Sequence, residues 1–271
     1  MSDARPSGLA IDLAGRTAVV TGSTQGIGRA IARRLVEAGA AVVVNGRDAA
    51  KTDAAARALS EETGRPVRAV AADIGTAEGA EALVAGAGEI DVLVNNAAIF
   101  DARPALEIDD DEWRRFFELN VLAATRLTRL VLPGMAARGW GRVLNIASDS
   151  AVVIPAEMIH YGMSKTALLA VSRGFAKTAA GTGVTVNAVI AGPTHTEGAE
   201  RFVYQMVDES LPWDEAQREF MRTARPQSLL GRLIQPEEIA NMVAYLASPL
   251  ASATTGGAVR VDGGYVDAIL P

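Results

Sequence analysis

Short apolar runs alternate with longer segments of helical periodicity along most of the chain, and this alternation predicts an architecture before any single residue does. The run 17–22 ends in Thr21-Gly22, and over 25–38 apolar residues recur at Ile27, Ala30, Ile31 and Leu35, which predicts strand, tight turn and helix. A second strand is expected at 41–45. An alanine-rich helix follows over 49–63, closed by Gly64-Arg-Pro66, and a third strand at 67–71 runs into Asp73 and Ile74. The pattern continues with a helix over 76–87, a strand at 92–95, and a long helix from Asp109 through Trp113, Phe116, Leu122 and Leu130 to about 138. A strand at 142–146, a helix around Tyr161 that runs to the Gly181-Thr-Gly183 break, and a strand at 184–190 come next. The stretch 197–230 shows no clear period and is expected to be irregular. A helix beginning at Gln235-Pro-Glu-Glu238 and a strand at 258–261 close the pattern. Strands separated by helices form parallel sheets, so the expected fold is α/β: a Rossmann-type, doubly wound parallel sheet of about seven strands in a single domain.

Composition supports this reading and narrows the chemistry. With 271 residues, 49% apolar and 5% aromatic, the chain suits one helix-covered sheet with a full core. A net charge of −6 with scattered basic residues offers no surface for nucleic acid. The absence of cysteine removes disulfides, thiolate metal sites and cysteine nucleophiles, and two histidines are too few for a histidine metal cluster. No metal cofactor is expected. No run approaches the roughly 20 apolar residues of a membrane span. Residues 1–12 lack the apolar centre of a signal peptide and read as a flexible leader, so a soluble, cytoplasmic protein is expected.

Candidate chemistry lies at the ends of the expected strands, where doubly wound sheets bind their ligands. The turn Thr21-Gly-Ser-Thr-Gln-Gly-Ile-Gly28 places glycines at 22, 26 and 28 between a strand and a helix. Missing side chains there let backbone N–H groups and the helix N-terminus approach a pyrophosphate. The second strand ends in Asn45-Gly-Arg47, with no carboxylate to hold the ribose hydroxyls of NAD; a guanidinium suits the 2′-phosphate of NADP, although Arg47 would also serve as a solvated residue before a helix. NADP is therefore favoured over NAD. Asp73, Asn95 and Asn96 fall at strand ends and suit adenine or ribose contacts, as well as ordinary turns. Asp109-Asp-Asp-Glu112 could suggest a cation site, but acidic residues in a first helical turn also complement the dipole. Asn120 sits in the middle of a helical stretch and needs a partner or a task.

Tyr161 and Lys165, four residues apart, share one face of a helix. A phenol with a pKa of about 10 is a poor proton-transfer group near neutrality, and a close ammonium favours its phenolate. Bringing it to neutrality asks about 4 kcal/mol of the lysine and its surroundings. The strand at 142–146 delivers the Ser148 hydroxyl to the same edge. The same spacing also occurs on solvated helices without function, so the surrounding motifs decide.

In this order Thr21-Gly-x-x-x-Gly-x-Gly28, Asn95-Asn-Ala-Ala98, Asn120, Ser148, Tyr161-x-x-x-Lys165, Gly192-Pro193 and Val261-Asp-Gly-Gly264 resemble the short-chain dehydrogenase/reductase family, and specifically its ketoreductase-like members. The resemblance covers roughly 13–266. Ala98 and Ala191 depart from it, standing where a glycine and a proline are usual. It implies that Tyr161 exchanges a proton with the substrate oxygen, Lys165 lowers the phenol's pKa and binds the nicotinamide ribose, Ser148 orients the substrate, and Asn120 positions water in a proton relay. Dinucleotide contacts are then expected from Gly22, Ser23, Thr24, Gln25, Gly26, Ile27 and Gly28 in the first turn. Further contacts are expected from Arg47, Asp73, Ile74, Asn95, Asn96 and Ala97, and from Tyr161, Lys165, Gly192, Thr194 and Thr196. A homotetramer packed through the Asn120 and Tyr161 helices is also implied.

The expectation is thus an NADP(H)-dependent oxidoreductase interconverting a small-molecule carbonyl and a secondary alcohol. Residues 13–271 form one catalytic domain, and 197–230, with Phe202, Trp213 and Phe220, forms a substrate lid or packs on its own domain. A catalytically silent dinucleotide sensor or scaffold would share the fold but need neither Tyr161 nor Lys165. An epimerase or dehydratase would hold NAD tightly, against which Arg47 argues.

Overall fold

The computed structural model describes residues 10–269, so residues 1–9 of the expected leader lie outside the described residues. Seven parallel strands form one sheet in the order β3-β2-β1-β4-β5-β6-β7. They are β1 (Thr17–Val20), β2 (Ala41–Gly46), β3 (Val67–Ala71), β4 (Val92–Asn95), β5 (Gly141–Ser148), β6 (Val184–Ala191) and β7 (Ala258–Val261). The order reverses direction between β1 and β4, and such a reversal opens a crevice beyond the carboxyl ends of the strands.

Helices cover both faces because successive strand residues point to opposite sides. On one side Ala18, Val20, Val42, Val44, Val92 and Val94 pack with Ile31 and Leu35 of α1 (Gly26–Glu37) and with Ile239 and Val243 of the helix Pro236–Ala247. On the other, Val19, Val43, Leu93 and Val143 meet Leu83 of α3 (Ala77–Ala87) and Leu127, Val131 and Met135 of α5 (Ala123–Ala137). Burying each such valine or leucine stabilises the fold by about 1.5–3 kcal/mol. Between these, α2 (Ala49–Thr63) joins β2 to β3, with Asp48 capping it through the Lys51 N–H. No helix among the described residues is long and apolar enough to cross a membrane.

Two segments differ from the sequence expectation. The helix starting at Asp109 is not uniform: α4 (Asp110–Phe117) passes through a π-helical turn, Glu118–Leu122, before α5. The stretch expected to be irregular holds α7 (Glu197–Met206) and α8 (Trp213–Ala224). Val203, Ala216, Phe220, Met221 and Leu233 form a small core of their own there. The apolar stripe of α8 is narrow beside Asp214, Glu215, Arg218, Glu219 and Arg222, and this polarity hid its period. The helix Pro236–Ala247, α9, opens with a proline at its first turn and a reciprocal Gln235–Glu238 capping box. Between β5 and β6, α6 (Ile159–Thr178) lies against the sheet and carries Tyr161 and Lys165.

Candidate active site

The first turn is shaped by what its glycines lack. Gly22 and Gly26 have φ of 60° and 56°, and a Cβ on Gly28 would stand 2.4 Å from both Asn96 Nδ2 and Gly22 O. Asn96 Nδ2 donates to Thr21 O at 2.9 Å and to Gly22 O at 3.1 Å, while Thr21 Oγ1 accepts from the N–H groups of Asn96 and Ala97. The end of β4 is thereby fastened to the turn. At the start of α1 no side chain caps the helix, and its first turn carries no acidic residue. Free backbone N–H groups above a bare glycine floor make an anion cradle, so the residues present fit a dinucleotide pyrophosphate.

A cleft of about 560 Å³ runs from this cradle across the carboxyl edge of the sheet. Gly22, Thr24, Gln25, Gly26, Ile27 and Gly28 line it at one end, with Arg47, Asp73 and Ile74 beside them. Arg47 is exposed and makes no ion pair among the described residues, and Lys51, one turn into α2, lines the same cleft. Toward the middle lie Asn96, Ala97, Gly192, Thr194 and Thr196. The Thr194 hydroxyl donates to Gly192 O at 2.8 Å, and the Thr196 hydroxyl caps α7 by accepting from Ala199 N–H at 3.1 Å. No residue other than glycine has positive φ among the described residues, so neither Ala98 nor Ala191 strains the backbone.

At the far end Ser148, Tyr161 and Lys165 converge on the cleft. β5 runs straight into Ser148, and α6 presents Tyr161 and Lys165 one turn apart. Lys165 is 3% exposed, and its Nζ donates to Ile146 O at 2.8 Å while sitting 5.6 Å from the centre of the Tyr161 ring. The edge of Phe100 packs on that ring, centroids 6.3 Å apart. Burial pushes the Tyr161 phenol up to about 12, with the Ser148 hydroxyl opposing the rise and Asp149 adding to it. Burial pushes Lys165 down to about 8. In the chain alone burial dominates the phenol, and the Lys165 ammonium is turned to the Ile146 carbonyl.

Three expected site residues stand off the cleft. The Ser23 hydroxyl points inward, donating to Val20 O at 2.6 Å and accepting from Asn45 N–H at 3.0 Å. Asn95 Nδ2 donates to Asn145 Oδ1 at 2.8 Å and to Thr128 Oγ1 at 3.3 Å, inside a buried polar seam that also ties Asn145 to Ser172. Neither residue lines the cleft, and each side chain stitches strands, which leaves only their backbone groups for a dinucleotide. Asn120, on the π-helical turn, accepts from Ile99 N–H at 2.9 Å and donates to Ile99 O and to Ser164 Oγ, each at 3.0 Å. It locks the loop after β4 to α6 and reaches neither Lys165 nor the cleft.

Asp149 and Arg225, which no motif in the sequence marks, also line the Ser148 end and are 5% and 8% exposed. His160, next to Tyr161 on α6, packs against α4 with its ring 4.0 Å from that of Phe116, and burial holds its pKa below the ordinary value.

Comparison with known proteins agrees with this arrangement. Residues 22–266 match a family model described as enoyl-(acyl carrier protein) reductase. The chain is 46% identical over 261 residues to an uncharacterized oxidoreductase, YvaG, of Bacillus subtilis, covering 96% of this chain and 99% of that one. It is 37% identical over 259 residues to dehydrogenase/reductase SDR family member 4 of Oryctolagus cuniculus, covering 93% and 94%. Among solved structures, L-sorbose reductase from Gluconobacter frateurii, complexed with NADPH and L-sorbose, superposes with a TM-score of 0.91 at 33% identity, over 96% of this chain and 100% of that one. Agreement at this level over nearly whole chains, on a seven-stranded sheet with a glycine cradle at its switch point, means that the protein belongs to the short-chain dehydrogenase/reductase family and is an NAD(P)-dependent oxidoreductase.

Proposed function

We propose that the protein interconverts a small-molecule carbonyl compound and a secondary alcohol using NADP(H), with Tyr161 as the general acid and base. The observation that carries this reading is the convergence of Ser148, Tyr161 and Lys165 at one end of a cleft whose other end is the glycine cradle and Arg47. The backbone of Gly22–Gly28 would hold the pyrophosphate, and Arg47 with Lys51 the 2′-phosphate. When bound, the dinucleotide supplies or accepts the hydride.

The chain itself manages the proton. With its pKa near 12, Tyr161 is protonated at neutral pH, the form that gives a proton to a carbonyl oxygen. The Ser148 hydroxyl, at the end of β5, shares that oxygen and fixes its position. Lys165, held by the Ile146 carbonyl, sits behind the phenol, where its charge favours the phenolate left by transfer. Asn120 acts as a positioning residue by fixing Ile99 and α6. In this reading α7 and α8 form the substrate lid: Phe202, Val203 and Phe220 line the cleft and exclude water from it. We also read the protein as a cytoplasmic homotetramer, supported by exposed Phe117 and Leu130 on the Asn120 helix. The NADPH present in the L-sorbose reductase structure supports the choice of dinucleotide.

The reading is tested by following NADPH oxidation over a panel of carbonyl compounds, with the matching alcohols and NADP run in reverse. Turnover of at least one pair is expected; dinucleotide binding with no turnover across the panel would instead identify a silent sensor. Arg47→Asp is expected to reduce the kcat/KM preference for NADPH over NADH by about 10- to 100-fold, the range of a hydrogen bond to a charged group. Equal use of the two dinucleotides by the parent protein would contradict the assignment of Arg47.

A further inference from the structure

The turn after β3 carries two residues that line the cleft, Asp73 and Ile74, and is closed mostly by its own groups. Asp73 Oδ1 accepts from Gly75 N–H at 3.0 Å, and Asp73 O accepts from Thr76 N–H and from Thr76 Oγ1, each at 3.1 Å. Ile74 packs into the core, which fixes the inner side of the turn. The outer side is held from a distance by one side chain. Arg126, on α5, donates from Nη1 to Gly75 O at 3.1 Å. Among the described residues no other side chain from outside the turn hydrogen-bonds to residues 73–76.

Arg126 itself does not line the cleft. Its Nη2 pairs with Glu118, the first residue of the π-helical turn, and the planar guanidinium holds its two acceptors in a fixed relation. Next to Glu118 stands Leu119, which does line the cleft, and a Cβ on Gly75 would stand 3.8 Å from Leu119 Cδ1. One side chain therefore clamps two segments, each a single residue away from a cleft wall: Gly75 beside Ile74, and Glu118 beside Leu119. π-Helical turns interrupt the regular helical ladder and recur at functional sites, and this one is tied down at its first residue.

We propose that Arg126 is a positioning residue for the adenosine half of the dinucleotide: by joining Gly75 O to Glu118 from outside the cleft, it sets the spacing between the Asp73–Ile74 wall and Leu119. The inference rests on the reading that the adenosine lies beside Asp73 and Ile74, at the end of the cleft that also holds Arg47. A flat adenine ring binds largely through close contact with its walls, and a gap of about 0.5–1 Å forfeits roughly a quarter to a half of each contact. Arg126 bonds to none of Ser148, Tyr161 and Lys165. Its loss is therefore felt in binding and not in the chemical step.

Fluorescence titrations of NADPH and NADH, with adenosine 2′,5′-bisphosphate as a competitor, test this on the intact protein. Arg126→Met is expected to weaken all three by a common factor of about 3 to 10, the net range of one hydrogen bond. The common factor separates Arg126 from Arg47, whose replacement shifts the ratio of NADPH to NADH. In steady state the KM for NADPH is expected to rise, while kcat at saturating NADPH stays within about 2-fold of the parent. Arg126→Gln keeps a polar side chain at this part-exposed position but is too short to span both partners. It is expected to lose the same factor and decides the matter if Arg126→Met does not fold. Unchanged affinities in a folded variant, NADPH weakened with the adenosine fragment unaffected, a lowered kcat with NADPH affinity intact, or no binding of the fragment by the parent would each overturn the proposal and leave the oxidoreductase reading standing. A parent protein that binds neither NADPH nor NADH overturns both.

Discussion

Tyr161→Phe is expected to lower kcat by about 10²- to 10⁴-fold, the contribution typical of a positioned general acid. The substitution removes one oxygen and leaves the ring, so the packing of Phe100 against it is kept. The Ser148 hydroxyl is too weak an acid to take over, and Lys165 is committed to the Ile146 carbonyl. NADPH binding, which also draws on the glycine cradle and Arg47, should remain measurable. Steady-state kinetics beside an NADPH titration separate the two effects, and a variant with parental kcat would remove Tyr161 from the mechanism.

Lys165→Met is expected to abolish most activity while making the protein more stable at neutral pH. Lys165 has its pKa depressed from 10.5 to about 8 by burial, so the folded chain binds its proton less tightly than the unfolded chain does. For a base, this means that the charged form opposes folding. The penalty is full below about pH 8 and is relieved as pH rises from about 8 toward 10.5, where the unfolded chain still holds the proton and the folded chain has lost it. The depression corresponds to about 3 kcal/mol. Losing the bond to Ile146 O returns about 1 kcal/mol of this, leaving a net gain of about 2 kcal/mol at pH 7. Denaturant unfolding of parent and variant at equal protein concentration, at pH 7 and pH 10, checks both sign and window. The difference should shrink at the higher pH, and a variant less stable than the parent at pH 7 would contradict the account. A buried ammonium maintained at such a cost is what a catalytic role would explain.

Much of this was legible in the sequence because each signal was local. Alternating apolar runs and helical periods specify a parallel sheet, and Gly22, Gly26 and Gly28 can be read as a cradle since their neighbours are a strand and a helix. Tyr161 and Lys165 could be paired from helical spacing alone. What escaped depended on long-range packing or on the direction of a side chain. Asn95 ends β4 and Ser23 lies in the turn after β1, and both side chains point inward, to Asn145 and to Val20. Asn120 was noticed for its unfavourable helical position, yet its partners lie 21 and 44 residues away. Arg225 reaches the cleft only because α8, whose polar surface concealed its period, folds back over the sheet edge. Tyr161 shows a related effect: spacing gives the neighbour, but not the burial that raises the phenol in the chain alone.

The most direct test of the central claim is to incubate the protein with NADPH deuterated on the transferable position of the nicotinamide together with a ketone from the panel, and to isolate the alcohol. The account predicts deuterium on the carbinol carbon from the parent protein and almost no labelled alcohol from Tyr161→Phe. Alcohol formed without the label, or formed by Tyr161→Phe at the parental rate, would contradict it.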